Sequence, residues 1–146
     1  MPVLTAGDVM PGVVAHLDQP KLEKNVRLRS SLPQADPRAG PFVCVESDGK
    51  TCLWSPITTK ARQERLPIDT GWRSDGPAHW MTEDQYLNDG ANLYHGPIDE
   101  FVVAASDDAK GSWKAAANHA RVTADGLKAI RGEVSKQTRR RQKPLA

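Results

Sequence analysis

The stretch from Pro41 to Lys60, Pro-Phe-Val-Cys-Val-Glu-Ser-Asp-Gly-Lys-Thr-Cys-Leu-Trp-Ser-Pro-Ile-Thr-Thr-Lys, constrains the fold more than any other part of the chain. Two runs rich in Val, Cys, Leu, Trp and Ile flank Asp48-Gly49. That dipeptide supplies the positive φ of a tight turn, so the segment reads as an antiparallel hairpin with strands over 42–46 and 51–57. The second run stops in two hydroxyls and a cation, Thr58-Thr59-Lys60, which suits a site at a strand end more than a core.

The hairpin also holds both cysteines. With a two-residue Asp48-Gly49 turn, Val45 faces Cys52 and Cys44 faces Leu53, so the thiols point to opposite faces and cannot bond. A three-residue loop would shift the register by one and bring them opposite each other. No third Cys and no nearby His completes a zinc set. Reduced core thiols are the expectation.

Around the hairpin the pattern is strand-rich first and helical last. Val9, Val13, Val14 and Leu17 suggest a first strand with a bend at Pro11-Gly12. Val26 and Leu28 alternate with Arg27 and Arg29 as an extra strand. Leu66 to Ile68 reads as a short edge strand, Thr82 as the cap of one helical turn, and Ile98 to Ala105 as a strand centred on Phe101-Val-Val. Beyond it, Ser106 with Asp107 and Asp108 makes a helix start. Trp113, Ala116, Ala117 and Ala120 then share a face over 107–120, and Leu127, Ile130 and Val134 share another over 123–137. Gly126 and Gly132 each cost the second helix about 1 kcal/mol relative to Ala, so it must be held by docking. The order predicts an α+β, mainly β architecture, a small sheet or barrel closed by C-terminal helices.

A chain of 146 residues makes about one domain. The division expected is a body over 1–136 and a basic, mobile tail over 137–146. Lys136, Arg139, Arg140, Arg141 and Lys143 place five cations near the C-terminus; without them 15 basic residues face 18 acidic ones. The sequence pI of about 8.6 is therefore a property of the tail, which reads as a local nucleic-acid arm or as a solvated terminus. No apolar run approaches the ~18 residues of a membrane span, and the N-terminus lacks a basic segment followed by a long apolar one. A cytoplasmic protein, with no membrane association, is expected.

There is no Walker-type phosphate loop, Gly-x-Gly-x-x-Gly, Gly-x-Ser-x-Gly or His-Glu-x-x-His. His16, His79, His95 and His119 stand singly. Trp54, Trp72 and Trp80 read as core in a chain with two Phe and two Tyr, with base stacking as the alternative.

Several short motifs, in order, resemble the MazF/PemK/Kid family of small ribonuclease toxins. They are Gly7-Asp8-Val9, Pro41-Phe-Val-Cys-Val45, Pro56-Ile57-Thr58-Thr59-Lys60, Asp84-Gln85 and the closing helix from Val122 to Val134. The resemblance implies an SH3-like β-barrel that dimerises, and metal-independent, cofactor-free cleavage of single-stranded RNA by attack of the 2′-hydroxyl on the adjacent phosphorus. It also implies a protein partner, an antitoxin, that plugs the RNA groove. Carried over by motif, Thr58 and Asp84 are the catalytic candidates. Gly40 occupies the place of the family's Arg before Pro41, leaving Arg38 as the nearby substitute. A guanidinium suits that role because its fork bonds two phosphate oxygens while staying charged. Thr59, Lys60, Gln85 and tail residues Arg139, Arg140 and Arg141 are the substrate-binding candidates. The same residues also read as an ordinary polar strand end and a first-turn acid. A non-catalytic nucleic-acid- or protein-binding module on the same barrel, or an assembly protein of a mobile element, is the alternative.

Overall fold

The computed structural model describes residues 4–17, 22, 29–30, 40–63, 65–88, 93–105 and 119–142. It is α+β and mainly β, a curled antiparallel half-barrel with a C-terminal helix. Among the described residues the strands are β1 (Val13–Leu17), β2 (Arg29–Ser30), β3 (Gly40–Ser47), β4 (Thr51–Thr58), β5 (Arg73–Ser74), β6 (Tyr86–Leu87), β7 (Tyr94–Pro97) and β8 (Ala120–Val122). The helices bounded within the described residues are α1 (Ala78–Thr82), α2 (Ile98–Ala104) and α3 (Ala124–Gln142). Strand order is β2-β7-β4-β3-β1-β8-β5, with β6 also on β4.

The expected hairpin is the centre of the sheet, β3 and β4. Its register differs from the expected one. The Asp48 N–H donates to the Thr51 carbonyl at 3.1 Å, so Gly49 and Lys50 form the turn, with Gly49 at φ 88°. The Asp48 side chain stabilises that choice, since Oδ1 accepts the N–H of Lys50 at 2.8 Å and of Thr51 at 2.7 Å. A bulge at Val45 then shifts the ladder again, so Cys44 pairs with Trp54 and Cys52 with Ser47. Both cysteines consequently join one core cluster, not opposite faces, and both remain free thiols.

Period-two alternation buries the sheet on both sides. Val13, Leu17, Phe42, Cys44 and Trp54 face a cluster closed by Phe101 and Ala104 of α2. Val14, Val43, Val45 and Ile57 face a second cluster closed by Trp80 of α1 and by Ile130 and Val134 of α3. Leu127 packs against this second cluster too. The docking expected of the C-terminal helix on the hairpin is therefore present. Trp54 and Trp80 are fully buried core residues.

Several local expectations are corrected. Ile98–Ala104 is a helix, not a strand. Its buried residues, Ile98, Phe101 and Ala104, recur every third position, and Asp99 and Glu100 lie in its first turn, where the helix dipole favours acids. Thr82 ends α1 and does not open a helix; its hydroxyl donates to the Ala78 carbonyl at 3.0 Å. The first strand, expected from Val9 with a bend at Pro11-Gly12, begins only at Val13. Before it, Gly7 and Asp8 lie in a 3-10 turn (Ala6–Asp8), where the Asp8 carboxylate accepts both the N–H and the hydroxyl of Thr5, each at 2.9 Å. His119 is not helical and Ala120 opens strand β8, so the helix expected over 107–120 does not reach its end. The rest of it lies outside the described residues, as does most of the expected strand near Val26. The closing helix runs past residue 137 to Gln142, so the boundary expected at 136 falls within it.

β4 changes partner along one edge. Thr51 to Trp54 pair with β7, and Ile57 and Thr58 pair with β6. Pro56 lies between them, and its carbonyl accepts the Asn88 N–H at 2.8 Å. A strand residue's N–H and C=O point to the same edge, so the N–H that proline lacks would have faced the gap between β7 and β6. A proline in this central strand thus costs no ladder bond.

Candidate functional site

Three strand ends meet beyond Pro56. β4 ends at Thr58, whose partner is Tyr86 of β6. β3 begins at Gly40, and extending the Phe42–Pro56 register by two residues places Gly40 opposite Thr58. The chain enters β6 through Asp84 and Gln85. The topology therefore gathers Thr58, the residue before Pro41, and the Asp84-Gln85 step at one end of the hairpin, although they are distant in sequence.

The individual groups differ in what they can do. Thr58 is half-buried and its Oγ1 accepts the Lys60 N–H at 3.2 Å. That bond turns the chain sharply and leaves the hydroxyl's own proton to be donated elsewhere. Thr59, Lys60 and Asp84 are exposed. Gln85 is buried, with its amide donating to the His79 carbonyl at 3.4 Å. That bond braces the Gln85 side chain against α1.

Gly40 carries φ 153°, a backbone that residues with a side chain rarely adopt. A Cβ there would meet nothing within 4 Å, so the obstacle to an arginine at this position is conformational and not steric crowding. Arg38 lies outside the described residues. Positions 139–141 lie on the α3 backbone.

Two arginines that the sequence reading did not select hold this end together. Arg65 donates from Nη1 to the Lys60 carbonyl at 2.8 Å, from Nε to the Asn88 carbonyl at 3.0 Å and from Nη2 to Asn88 Oδ1 at 2.7 Å. It thus ties the segment leaving β4 to the segment leaving β6. Arg73 is buried and donates from Nη1 to the carbonyls of Trp80 and Glu83, both at 2.6 Å. Its guanidinium lies over the Trp80 ring, 5.7 Å from the centroid. Burial pulls its pKa down, while the carboxylates of Asp84 and Asp69 favour its charged form. Arg73 fixes the Glu83 carbonyl, and so the backbone on which Asp84 stands. No spacing in the sequence announces either role, since each depends on carbonyls supplied by the fold.

A second polar cluster lies elsewhere. Buried His119 has Nε2 3.5 Å from Asp8 Oδ2. Among the described residues no three His, Cys, Asp or Glu side chains form a metal-ligating group, and no helix is long and apolar enough to cross a membrane. No protein-family model, no curated protein and no solved structure matches the chain.

Proposed function

We propose that this protein is an SH3-like, MazF/PemK-type barrel that binds single-stranded RNA at the open end of the β3–β4 hairpin and cleaves it without a metal. One observation carries the reading: β6 pairs with β4 so that Thr58 and the Asp84-Gln85 step, matched separately by motif, come to the same strand ends. In the reaction, the 2′ oxygen forms a bond to phosphorus and the bond from phosphorus to the 5′ oxygen breaks. The Asp84 carboxylate takes the 2′ proton, and the departing 5′ oxygen takes one from solvent. The Thr58 hydroxyl donates to a non-bridging oxygen, where charge grows in the transition state. Lys60, beside it, supplies positive charge. A homodimer and a protein that occupies the RNA groove belong to the same reading, as does a cytoplasmic location.

A second reading, a non-catalytic RNA-binding module on the same barrel, is favoured by Gly40. A lost phosphate donor of this kind costs about 10²–10³ in rate. Expression in a bacterium followed by plated viable counts separates the two. Growth arrest that disappears in Thr58→Ala and Asp84→Asn supports the nuclease. Full viability on expression of the folded wild-type protein supports the binding module.

A further inference from the structure

The segment leaving β4 carries Lys60, Arg62 and Arg65 within six residues. Lys60 and Arg62 are exposed, and among the described residues neither has an ion-pair partner. Solvated lysines and arginines are common, and an exposed pair alone says little. What distinguishes this loop is that it is built. The Arg65 N–H donates to the Arg62 carbonyl at 3.0 Å, closing a turn. The Arg65 guanidinium then fastens the Lys60 carbonyl and both oxygens of Asn88. At its other end the Lys60 N–H is held by Thr58 Oγ1. Both cations thus spring from backbone fixed at each end, beside the exposed Thr59 hydroxyl. A preorganised cationic loop loses less conformational freedom on binding an anion than a mobile one.

We infer that Lys60 and Arg62 form a phosphate-binding pair for the backbone of a single-stranded nucleic acid, contacting phosphate while Arg65 positions them; Glu64, between them and Arg65 in sequence, lies outside the described residues. The inference rests on the proposed RNA site only for its location; it needs no cleavage. Repeating phosphodiesters match two cations set two residues apart better than a lone anion does, because each cation can engage its own phosphate. A guanidinium and an ammonium contact phosphate irrespective of the sugar, so RNA and DNA single strands of the same sequence should both depend on the loop. Any preference for RNA would come from the Thr58 end.

The test is fluorescence anisotropy of the full-length protein with labelled single-stranded RNA and DNA across a range of salt. The logarithm of the binding constant falls linearly with the logarithm of salt, by about 0.7 per phosphate contact for single strands. Lys60→Ala/Arg62→Ala should make that slope shallower by about 1.4 if both cations engage, with the melting temperature unchanged. Arg65→Lys keeps the charge but loses the fork, and should weaken binding several-fold while leaving a cooperative melt. An unchanged affinity and slope in the double variant would overturn the phosphate-binding role, as would absence of binding by the wild type. Wild-type affinity in Arg65→Lys would overturn the positioning role. Binding with the expected slope change but without cleavage would remove the nuclease and keep this element; cleavage with an unchanged slope would do the reverse.

Discussion

Arg131 Nε donates to the Val45 carbonyl at 3.1 Å and stands 3.1 Å from Glu46 Oε1. Val45 is the bulge residue, without a partner in β4, so the helix supplies the bond that the ladder does not. A charged donor on a partly buried carbonyl is worth more than an exposed ion pair, which typically adds under about 1 kcal/mol. Arg131→Met should therefore lower stability by about 1–2 kcal/mol, and Glu46→Gln by about 0.5 kcal/mol or less. Urea unfolding of the two variants checks the order; equal losses would place the energy in the ion pair.

The two glycines of α3 should respond oppositely to alanine. A Cβ at Gly126 would lie 2.7 Å from Trp72 Cβ, whereas at Gly132 it would meet nothing within 4 Å. Gly132→Ala should stabilise by about 0.5–1 kcal/mol through helix propensity alone. Gly126→Ala should destabilise despite the same gain, because the helix must move off Trp72. Thermal melts of the two single variants decide it.

The two bonds from Thr5 hold the Asp8 carboxyl below its ordinary value of 3.8, the backbone N–H contributing most and His119 and Arg121 adding attraction. A carboxyl depressed in the folded state adds stability that is fully present above its unfolded pKa and is lost as pH falls through the folded one. The melting difference between wild type and Asp8→Ala should hold steady above about pH 5 and shrink below about pH 4. A difference that grows on acidification would contradict this.

The thiols should be inert in the native protein. Burial pushes Cys44 up to about 12 and Cys52 up to about 11, the latter against the Trp54 Nε1–H, which donates to Cys52 Sγ at 3.1 Å and favours the thiolate. Since the thiolate is the nucleophile, a disulfide reagent at pH 8 should titrate neither thiol until denaturant is added, and then both. Rapid native labelling would show that the hairpin core opens.

The legible and illegible parts of this fold divide by the range of the forces behind them. The β3–β4 hairpin could be read because alternation and Gly49 are local signals. Its register could not, because the Asp48 side chain bonds and the Val45 bulge depend on atoms that come together only in the turn and on α3. Phe101-Val102-Val103 carries strong strand propensity, and the helix there wins through packing of Ile98, Phe101 and Ala104, against which propensity is a weak prior. The Pro97 before it and the acids at 99 and 100 were the available signal. At the candidate site, Thr58 and Asp84 were selected by motif, and the topology brings their strand ends together. Arg65 and Arg73 were missed because their partners are backbone carbonyls and an asparagine brought in by β6 and α1.

Incubation of the purified protein with a single-stranded RNA in EDTA tests the central claim most directly. The account predicts cleavage leaving a 2′,3′-cyclic phosphate, none on the same strand with 2′-deoxyribose throughout, and a rate reduced at least about tenfold in Thr58→Ala. An RNA left intact by folded wild-type protein, or cut equally well by Thr58→Ala, would contradict it.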